Sequence, residues 1–416
     1  MSELSIAVVG GGAAGMMAAA AALESGAAVT LYEHNDRLGK KLRITGKGRC
    51  NVTNNCPPAE ILKNVLSNEK FLYSSVFKFS PEDVIAYFEG LGVPMKTERG
   101  RRVFPVSDKA GDVSRALEKY IEDMGCNILY EHVKEIKTEN GKAVGVVTNN
   151  GEHSHSAVIL ATGGVSYPKT GSTGDGHRMA KSLGIKVTPL KPSLVPVILH
   201  DNTAPMMGLS LKNVKLSVFL GDKCVSEEQG EMLFTHFGVS GPLVLSASAH
   251  MQKGTPDNYK MEIDLKPALD EETLDKRLIS DLTKYSARDF LNSLGDLLPA
   301  KLIDSVVERC KIDPRKKSGE VTKAERHALL NTLKHYTLSP RAFRSLDEAV
   351  VTAGGIDVSE IDPRTMKSKK IDGLFFAGEI IDLDAYTGGY NLQIAWSTGR
   401  KAGESAAEYT FEDIYE

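Results

Sequence analysis

The sequence predicts an α/β protein in which a Rossmann-like nucleotide-binding domain carries a β unit and a helical unit as insertions. Three observations support this class. A strand, a glycine-rich turn, a helix and a second strand follow one another within residues 4–32, which is the order of a β-α-β unit. Two more apolar runs, near 157–161 and 373–377, are typical of buried parallel strands. Between these runs the hydrophobic spacing changes twice, which indicates inserted structural units.

The N-terminal unit begins with a short apolar strand, Leu4–Val9, and its second strand covers Ala28–Tyr32. The segment between them, Ala13–Glu24, is rich in alanine, methionine and leucine. These residue types are strong helix formers. We therefore expect a strand, a helix and a strand, with the glycine-rich turn at the start of the helix.

The glycine-rich turn has the spacing Gly10-x-Gly12-x-x-Gly15, which in this context is a dinucleotide-binding fingerprint. The first glycine permits the tight turn, the second lets a pyrophosphate approach the backbone, and the third lets helix and strand pack closely. The N-terminus of the helix offers N–H groups to the phosphates. Glu33 ends the second strand, 18 residues after Gly15, where an acid can bind a ribose. The fingerprint alone does not separate FAD from NAD.

The next part of the chain, up to residue 163, alternates helices and strands. Ser80-Pro81-Glu82-Asp83 has the N-cap, the N1 proline and the acidic first turn of a helix that extends to Gly90. A second helix is expected over about 112–124. Strand-like segments at 128–130, 133–138 and 144–148, with Asn-Gly turns nearby, predict an antiparallel ribbon.

The inserted region begins where prolines accumulate, near residue 190. Apolar residues alternate with period two over Val214–Leu220, and leucines recur at every fourth position over Leu274–Leu282. Thr322-Lys-Ala-Glu325 is a capping box before another helix. We therefore expect a nucleotide-binding domain over 1–190 and 346–416, a β domain over 191–266 and a helical domain over 267–345.

The composition argues against several classes of function. The 416 residues are 41% hydrophobic and 25% charged with a net charge of −3, so we expect no nucleic-acid partner. The chain has no run of about 18 apolar residues, so we expect no membrane span. The five cysteines are scattered, without a C-x-x-C pair, so they indicate neither a zinc site nor a dithiol motif. We expect no metal and a reduced, cytoplasmic setting.

Two later strand ends favour FAD over NAD. One predicted strand ends in Ala161-Thr162-Gly163, and another ends in Ala377-Gly378-Glu379. Because FAD reaches across the sheet, it needs contacts from strand ends that are far apart in the sequence. The acid can bond a ribitol hydroxyl. A helix that begins near Asn391-Leu392 would direct its positive end at the N1/C2=O edge of the flavin.

Five segments give the chain a family resemblance, and they extend over its whole length. They are 39–54 (GKKLRITGKGRCNVTN), 102–105 (RVFP), 163–176 (GGVSYPKTGSTGDG), 233–242 (LFTHFGVSGP) and 376–393 (FAGE through DAYTGGYNLQ). By these segments the chain resembles the HI0933-like (YhiN-like) family of NAD(P)/FAD-dependent oxidoreductases, a branch of the two-dinucleotide-binding-domain flavoproteins. The resemblance implies an FAD domain that carries an inserted β-barrel and a small helical domain.

The resemblance also implies where non-covalent FAD binds. The Lys41–Asn51 loop would lie along the flavin and its phosphates, Val133 would contact the adenine end, and Asn391-Leu392 would meet the flavin ring. Together with the fingerprint and the strand ends, the expected FAD-binding residues are Gly10, Gly12, Ala13, Ala14, Gly15, Glu33, Arg37, Lys41, Thr45, Gly46, Arg49, Cys50, Asn51, Val133, Ala161, Thr162, Gly163, Gly378, Glu379, Tyr390, Asn391 and Leu392.

Three residues are candidates for catalysis. Tyr167 follows the Ala-Thr-Gly strand end and would be a proton donor that faces the flavin. His236 lies in a glycine-rich segment that would contact substrate, and Arg49 would place a cation near the flavin. Each has a plainer interpretation as a packing aromatic, a satisfied loop histidine or a surface cation. For Cys50 the plainer interpretation, a small residue packed in a tight loop, is favoured.

Three functions remain open from the sequence. The favoured one is hydride transfer from NAD(P)H through FAD to an activated C=C bond of a small-molecule acceptor, because the resembled family includes bile-acid enoate reductases. A second complete nucleotide fingerprint is absent, so NAD(P)H would bind transiently. The second is an aminoacetone-type amine oxidase that uses O2. The third is a non-catalytic flavin-binding or regulatory protein, or an RNA-modification accessory, although the mildly acidic charge argues against RNA. Substrate identity and oligomeric state are left open.

Overall fold

The structure, a computed structural model, describes residues 5–412 of the chain. The chain divides into two compact units. The first, which we call the nucleotide unit, comprises 5–193 and 346–412, and the second, the inserted unit, comprises 194–345. All five cysteines are free thiols. Within 5–412, none of the helices is both long enough and apolar enough to cross a membrane.

The elements follow in chain order. The strands are β1 (Ser5–Val9), β2 (Ala28–Tyr32), β3 (Thr53–Asn54), β4 (Met95–Thr97), β5 (Arg102–Pro105), β6 (Asn127–Leu129), β7 (Val133–Glu139), β8 (Lys142–Thr148), β9 (Glu152–Ser154), β10 (Ala157–Leu160), β11 (Lys191–Ser193), β12 (Val197–Leu199), β13 (Ser210–Leu220), β14 (Lys223–Thr235), β15 (Gly238–Ser240), β16 (Tyr259–Asp264), β17 (Tyr336–Leu338), β18 (Pro340–Phe343), β19 (Val351–Ala353) and β20 (Leu374–Phe376). The helices are α1 (Ala13–Glu24), α2 (Thr45–Gly48), α3 (Pro58–Lys63), α4 (Tyr73–Lys78), α5 (Pro81–Gly90), α6 (Ala110–Asp123), α7 (Asp175–Ser182), α8 (Pro242–Ala249), α9 (Glu271–Lys284), α10 (Ala300–Cys310), α11 (Lys323–Lys334) and α12 (Tyr390–Glu412).

The central sheet of the nucleotide unit has five parallel strands in the order β20-β10-β1-β2-β6. Ile6 of β1 lies between Ala157 of β10 and Val29 of β2. Strands β20, β10, β1 and β2 are buried almost throughout, and α1 and α12 pack on the sheet. Burial by helices explains why these strands are near-continuous apolar runs in the sequence. The predicted α/β class with a parallel nucleotide-binding sheet is confirmed.

Helix α1 is buried along nearly its whole length and packs against α12. Two glycines of α12 permit this approach. A Cβ atom at Gly399 would overlap the carbonyl oxygen of Ala14, and a Cβ atom at Gly403 would overlap that of Ala18. This contact fixes α12 against the helix that begins at the glycine-rich turn.

Local signals in the sequence placed two helices correctly. Ser80 caps α5, because its Oγ accepts a hydrogen bond from the Asp83 N–H at 3.2 Å and its own N–H donates to Asp83 Oδ2 at 2.8 Å. Thr322 and Glu325 form the same capping box at α11.

The predicted antiparallel ribbon is correct only in part. Strands β7, β8 and β9 form it, whereas β6 joins the parallel sheet beside β2. Helix α6 precedes β6, and a helical crossover brings the chain back in the same direction as the earlier strand. Pairing of β6 with β2 is therefore parallel.

The inserted unit contains a seven-stranded antiparallel sheet in the order β17-β16-β13-β14-β15-β12-β18. Val214, Leu216 and Val218 of β13 are buried, as the period-two pattern predicts. The sheet shares one hydrophobic core with α8 to α11. Strands β17 and β18 follow α11 and return to the sheet, so the segment 267–345 is not wholly helical. The three-domain division stays a prediction.

Candidate cofactor site

The glycine-rich turn joins β1 to α1 and is crowded on all but one side. Gly10 has φ +105°, and a Cβ there would lie 2.6 Å from the carbonyl oxygen of Ala161. A Cβ at Gly15 would overlap the carbonyl oxygen of Gly10. At Gly12 a Cβ would meet nothing within 4 Å, and Gly12 caps α1 without any side-chain hydrogen bond. The turn is thus open at the one glycine where a pyrophosphate is expected to approach.

Glu33 lies just after β2 and is 7% exposed. Its Oε2 accepts a hydrogen bond from the Gly11 N–H at 2.9 Å, and its Oε1 accepts from the backbone and side-chain N–H groups of Asn35, both at 2.7 Å. Because each carboxylate oxygen can accept two hydrogen bonds, Oε2 retains room for a further donor such as a ribose hydroxyl. The carboxylate is therefore oriented by the turn that it borders.

A second polar cluster lies where β20 ends. Glu379 Oε2 pairs with Lys41 Nζ at 2.7 Å, and Lys41 Nζ also donates to Ser166 Oγ at 2.7 Å. Ser166 Oγ donates to Glu379 Oε1 at 3.1 Å, and the Thr352 N–H donates to the same oxygen at 2.9 Å. Burial acts to raise the pKa of Glu379, but the Lys41 ammonium and these hydrogen bonds hold that pKa below its ordinary value. Glu379 is therefore a charged, oriented acid.

Two members of this cluster escaped the sequence analysis. Ser166 lies inside the 163–176 motif, so its position was a usable signal. Thr352 has no such signal, although its Oγ1 accepts hydrogen bonds from the N–H groups of Val165 and Ser166 at 2.8 and 3.2 Å. Its contribution depends on tertiary placement of β19, which the sequence does not reveal.

The Thr45–Asn51 loop is tightly turned, and it places two of the predicted residues, Cys50 and Asn51, in different environments. Gly46, Lys47, Gly48 and Cys50 all have positive φ. Cys50 is fully buried, and burial raises the pKa of its thiol to about 12. This environment agrees with the packed-residue interpretation. The side-chain oxygen of Asn51 is buried without a hydrogen-bond partner among residues 5–412.

Arg49, a candidate for both catalysis and FAD binding, belongs to an ion-pair network. Its Nε donates to Asp108 Oδ1 at 2.8 Å and its Nη1 to Glu98 Oε2 at 3.2 Å. Its guanidinium also lies 4.1 Å from the ring centroid of Phe104. The two carboxylates raise the pKa of Arg49, with hydrogen bonds to Glu98 the largest cause. Arg49 thus anchors an ion-pair network and stays a cation, and its role near the flavin stays a prediction.

Tyr167 remains the best-placed candidate proton donor. It is half-buried, follows Ser166 of the polar cluster and has φ +53°. A left-handed backbone is costly for a tyrosine and is common at functional sites. No side-chain hydrogen bond of its hydroxyl is formed within the described part of the chain. The phenol is therefore free to reach a ligand.

Helix α12 begins at Tyr390, one residue before the predicted start. The side chain of Asn391 orders the preceding loop, because its Nδ2 donates to the carbonyl oxygens of Ala385 and Tyr386 at 2.7 and 3.2 Å. Its Oδ1 accepts from the Ala385 N–H at 2.9 Å, and Leu392 packs against the core. What α12 offers a flavin is its N-terminal backbone N–H groups, which lack helical partners.

The remaining predicted residues occupy different surroundings. Val133 is 3% exposed at the start of β7. Arg37 is exposed and pairs with Asp36 at 3.1 Å. His236 is exposed, and its ring contacts that of Phe237 at 5.1 Å between centroids. His236 belongs to the inserted unit, so the nucleotide unit by itself does not contain it.

Near Glu33, three side chains of metal-ligating type approach one another. The ligand atoms of His34, His132 and Asp175 lie within 4.8 Å of one another. Asp175 Oδ2 accepts a hydrogen bond from Thr173 Oγ1 at 2.6 Å, and Arg178 pairs with the other oxygen of Asp175. Because the guanidinium of Arg178 already pairs with the Asp175 carboxylate, it would repel a metal cation there. We therefore assign no metal to this group of three side chains.

The separation of the two acids suits an extended ligand. Glu33 follows β2 and Glu379 comes soon after β20, and these strands are separated by β10 and β1 in the sheet. Three strand spacings correspond to about 14 Å, a span that needs an extended ligand such as a dinucleotide. The open Gly12 lies between these acids at the end of β1. Thr162 Oγ1, after β10, is buried without a partner among the described residues, as expected of a group that meets a polar ligand.

Comparisons with known proteins identify the family of the whole chain. The family model described as "HI0933-like protein Rossmann domain" matches residues 4–405. The chain is 31% identical over 387 residues to a 3-dehydro-bile acid delta(4,6)-reductase of Clostridium scindens, covering 92% of this chain and 94% of that protein. It is 29% identical over 381 residues to a ribosomal RNA dihydrouridine synthase of Haemophilus influenzae, covering 90% and 91%.

Solved structures show the same fold. A 3-ketosteroid-delta4-(5alpha)-dehydrogenase of Rhodococcus jostii aligns with a TM-score of 0.52 and 18% identity, over 97% of both chains. At that identity the likeness concerns the fold alone. The family match, by contrast, extends over nearly the whole chain and includes the turn and both acids. The chain therefore belongs to the HI0933-like family of FAD-dependent oxidoreductases.

Proposed function

We propose that this protein uses FAD and NAD(P)H to reduce a carbon–carbon double bond conjugated to a carbonyl group in its substrate. The observation that supports this most strongly is the 31% identity, over nine-tenths of both chains, to a protein named as a delta(4,6)-reductase of a bile acid. The second relative is named for making dihydrouridine, which is uridine with two added hydrogens. Both names describe saturation of a C=C bond.

Different residues of the nucleotide unit would bind different parts of FAD. Glu33 would bind the adenosine ribose, the N-terminus of α1 at Gly12 would meet the pyrophosphate, and Glu379, oriented by Lys41, would bind the ribitol. FAD, when bound, supplies hydride transfer to one carbon of the double bond. The other carbon then needs a proton from the protein or from water.

Tyr167 is our candidate for delivering that proton. Its backbone is left-handed, and it directly follows Ser166, which both Lys41 and Glu379 contact. The N-terminus of α12 adds a positive field for the negative charge that a reduced flavin or an enolate develops. These groups together supply a proton donor and charge stabilisation, which conjugate reduction requires.

The first test concerns the cofactor. The purified protein should be yellow, and Glu33→Ala should weaken FAD affinity by about 1–3 kcal/mol, which is roughly 5- to 150-fold, because ribose hydrogen bonds are lost. The readout is the fluorescence of released FAD during dialysis. Exposed Glu82→Ala, in the first turn of α5, serves as the control. A colourless protein that cannot be reconstituted with FAD would contradict the proposal.

The second test concerns the reaction. Under anaerobic conditions NADH or NADPH should bleach the flavin, and a conjugated enone should then restore its colour. Tyr167→Phe should leave the bleaching step intact and slow the enone step by about 10²–10⁴-fold. If neither nicotinamide bleaches the flavin, whereas aminoacetone does so and peroxide forms in air, the protein is an amine oxidase instead.

A further inference from the structure

An exposed turn between β4 and β5 concentrates positive charge. It comprises Arg99–Arg102, which we call the arginine turn, and three of its four residues are arginines with exposed side chains. Gly100 and Arg101 have φ of +75° and +58°. Two successive left-handed residues reverse the chain sharply, so the turn projects its guanidinium groups into solvent.

The arginine turn is fixed beside the start of α12. Asn54 Nδ2 donates to the carbonyl oxygen of Gly100 and to that of Gly388, both at 3.0 Å. The Asn55 N–H donates to the carbonyl oxygen of Arg101 at 2.7 Å. Gly388 lies two residues before Tyr390, where α12 begins. One amide thus connects the turn to the end of the site at which a flavin ring is expected.

The described part of the chain does not neutralise the charge of the turn. No carboxylate oxygen among residues 5–412 lies within 4.0 Å of a guanidinium nitrogen of the arginine turn. The neighbouring cations differ: Arg49 pairs with Glu98 and Asp108, and Lys96 pairs with Asp108 at 2.7 Å. The acids of this small sheet are thus used by other cations, and three adjacent positive charges remain for an external anion.

The exposure of these arginines decides which anion fits. A single contact between exposed charges contributes about 0–1 kcal/mol, so an isolated carboxylate of a small substrate would gain little here. A chain of phosphates gains more, because every neutralised phosphate releases condensed counterions. The site beside the turn, on our proposed function, acts on a C=C bond conjugated to a carbonyl. A uracil base contains that group, and an anionic lipid headgroup does not.

We propose that the arginine turn is a phosphate-binding site for single-stranded RNA, placed so that a base of the bound strand lies at the start of α12. This inference rests on the proposed function for the choice of RNA. Tyr390 is half-buried at that helix start and offers an aromatic ring on which a base can stack. The net charge of −3, which argued against a nucleic-acid partner, is an average over the whole chain. The binding site is a local concentration of charge.

The test measures binding of a fluorescent 12-residue oligouridylate to the full-length, FAD-loaded protein by anisotropy at several salt concentrations. Binding of this probe is compared between the wild type and a variant in which all three arginines of the turn are replaced by glutamine. Each lost phosphate contact lowers the salt slope by about 0.7, so the slope should fall by about 2. Between 50 and 200 mM salt, wild-type affinity should then fall about 20-fold more than that of the variant.

A charge-matched control separates the turn from net charge. Lys134, Lys181 and Arg364 are exposed cations of the same unit, and their triple replacement by glutamine should leave the salt slope within about 0.5 of wild type. FAD content and melting temperature verify that both variants fold. Equal slopes for wild type and the arginine-turn variant would overturn the proposal. So would binding to phosphatidylserine vesicles without binding to the oligouridylate.

Failure of this inference is distinguishable from failure of the proposed function. Anisotropy reports on the turn and needs no turnover, whereas anaerobic bleaching by NAD(P)H and reoxidation by an enone need no RNA. A wild-type protein that reduces an enone but does not bind the oligouridylate would retain the proposed function and lose the arginine-turn proposal.

Discussion

Replacement of Lys41 by methionine tests the electrostatic argument for the polar cluster. Lys41→Met preserves most of the aliphatic stem and removes the ammonium from Glu379 Oε2 and Ser166 Oγ, both at 2.7 Å. The carboxylate keeps hydrogen bonds from Ser166 and the Thr352 N–H, but it loses its counter-charge. The variant should therefore be less stable than wild type at pH 7.

The magnitude follows from the exposure of the pair. The side chains of Lys41 and Glu379 are both 22% exposed. Breaking a fully buried pair costs about 3–5 kcal/mol, and breaking an exposed pair costs about 0–1 kcal/mol. We expect about 2 kcal/mol for this intermediate case. In a domain of this size that corresponds to a decrease in Tm of about 4–8 °C.

The pKa of Glu379 determines how the stability effect of Lys41→Met changes with pH. In wild type the pKa of Glu379 lies below its ordinary value of 4.5. Its stabilising contribution is therefore complete above that value and is lost as pH falls through the lower, folded-state pKa. Without Lys41, burial raises the pKa, so the charged carboxylate destabilises at pH 7 and protonation relieves this at lower pH. The difference in Tm between variant and wild type should be largest near pH 7 and shrink toward pH 4.5.

The assay is thermal unfolding of FAD-saturated protein from pH 7.5 to 4.5. Lys40→Met is the matched control, because Lys40 is 38% exposed and its Nζ lies 3.5 Å from Asp36 Oδ1. It should change the free energy of unfolding by less than about 1 kcal/mol. The double variant Lys41→Met/Glu379→Gln should recover more than half of the loss. A Lys41→Met effect that equals the control, or that does not change with pH, would refute this account of the cluster.

Three further predictions follow from the site. Gly12→Ala should fold with an unchanged Tm in the FAD-free form and bind FAD at least 10-fold more weakly. Gly10→Ala should instead lose about 2–4 kcal/mol of stability, because its backbone is left-handed and the new Cβ would clash. Thermal unfolding and FAD titration measure both effects, and similar behaviour of the two variants would contradict the roles assigned to these glycines. Arg49→Met should change the turnover rate less than threefold and the stability by about 1 kcal/mol or less; a 100-fold fall in rate would instead make Arg49 catalytic. Cys50, with its pKa raised to about 12, should resist iodoacetamide at pH 8 in the folded protein while exposed Cys224 reacts, and equal labelling by mass spectrometry would disprove its burial.

The parts of the site that depend on short stretches of chain were predictable. Gly10, Gly12, Gly15 and Glu33 lie within one β-α-β unit, whose spacing is set by a turn and two strands. Capping at Ser80 is equally local. The direction of β6 was not predictable in this way. Its pairing with β2 rather than with β7 depends on the crossover through α6, which a strand pattern alone does not contain.

Side-chain partners across the fold were the other gap. The sequence named Arg49 as a residue near the flavin, and it did not reveal that Glu98 and Asp108, about 50 and 60 positions away, bind its guanidinium. Lys41 and Glu379 were both named as cofactor residues, yet nothing in the sequence indicated that they pair across 338 positions. Such contacts depend on which strand ends become neighbours, and that is a property of the assembled sheet.

The sequence by itself determined that this chain has a nucleotide-binding α/β unit, which residues form its glycine-rich turn and which acid follows the second strand. These features are written in the order and spacing of neighbouring residues, because a tight turn and a helix N-terminus form locally. Only the tertiary structure decided which charges are paired. It assigned Lys41 to Glu379 and Arg49 to its two acids, and among residues 5–412 it left the guanidinium groups of the arginine turn without a carboxylate partner. Ion pairing depends on distances between segments that meet only when the sheet has formed.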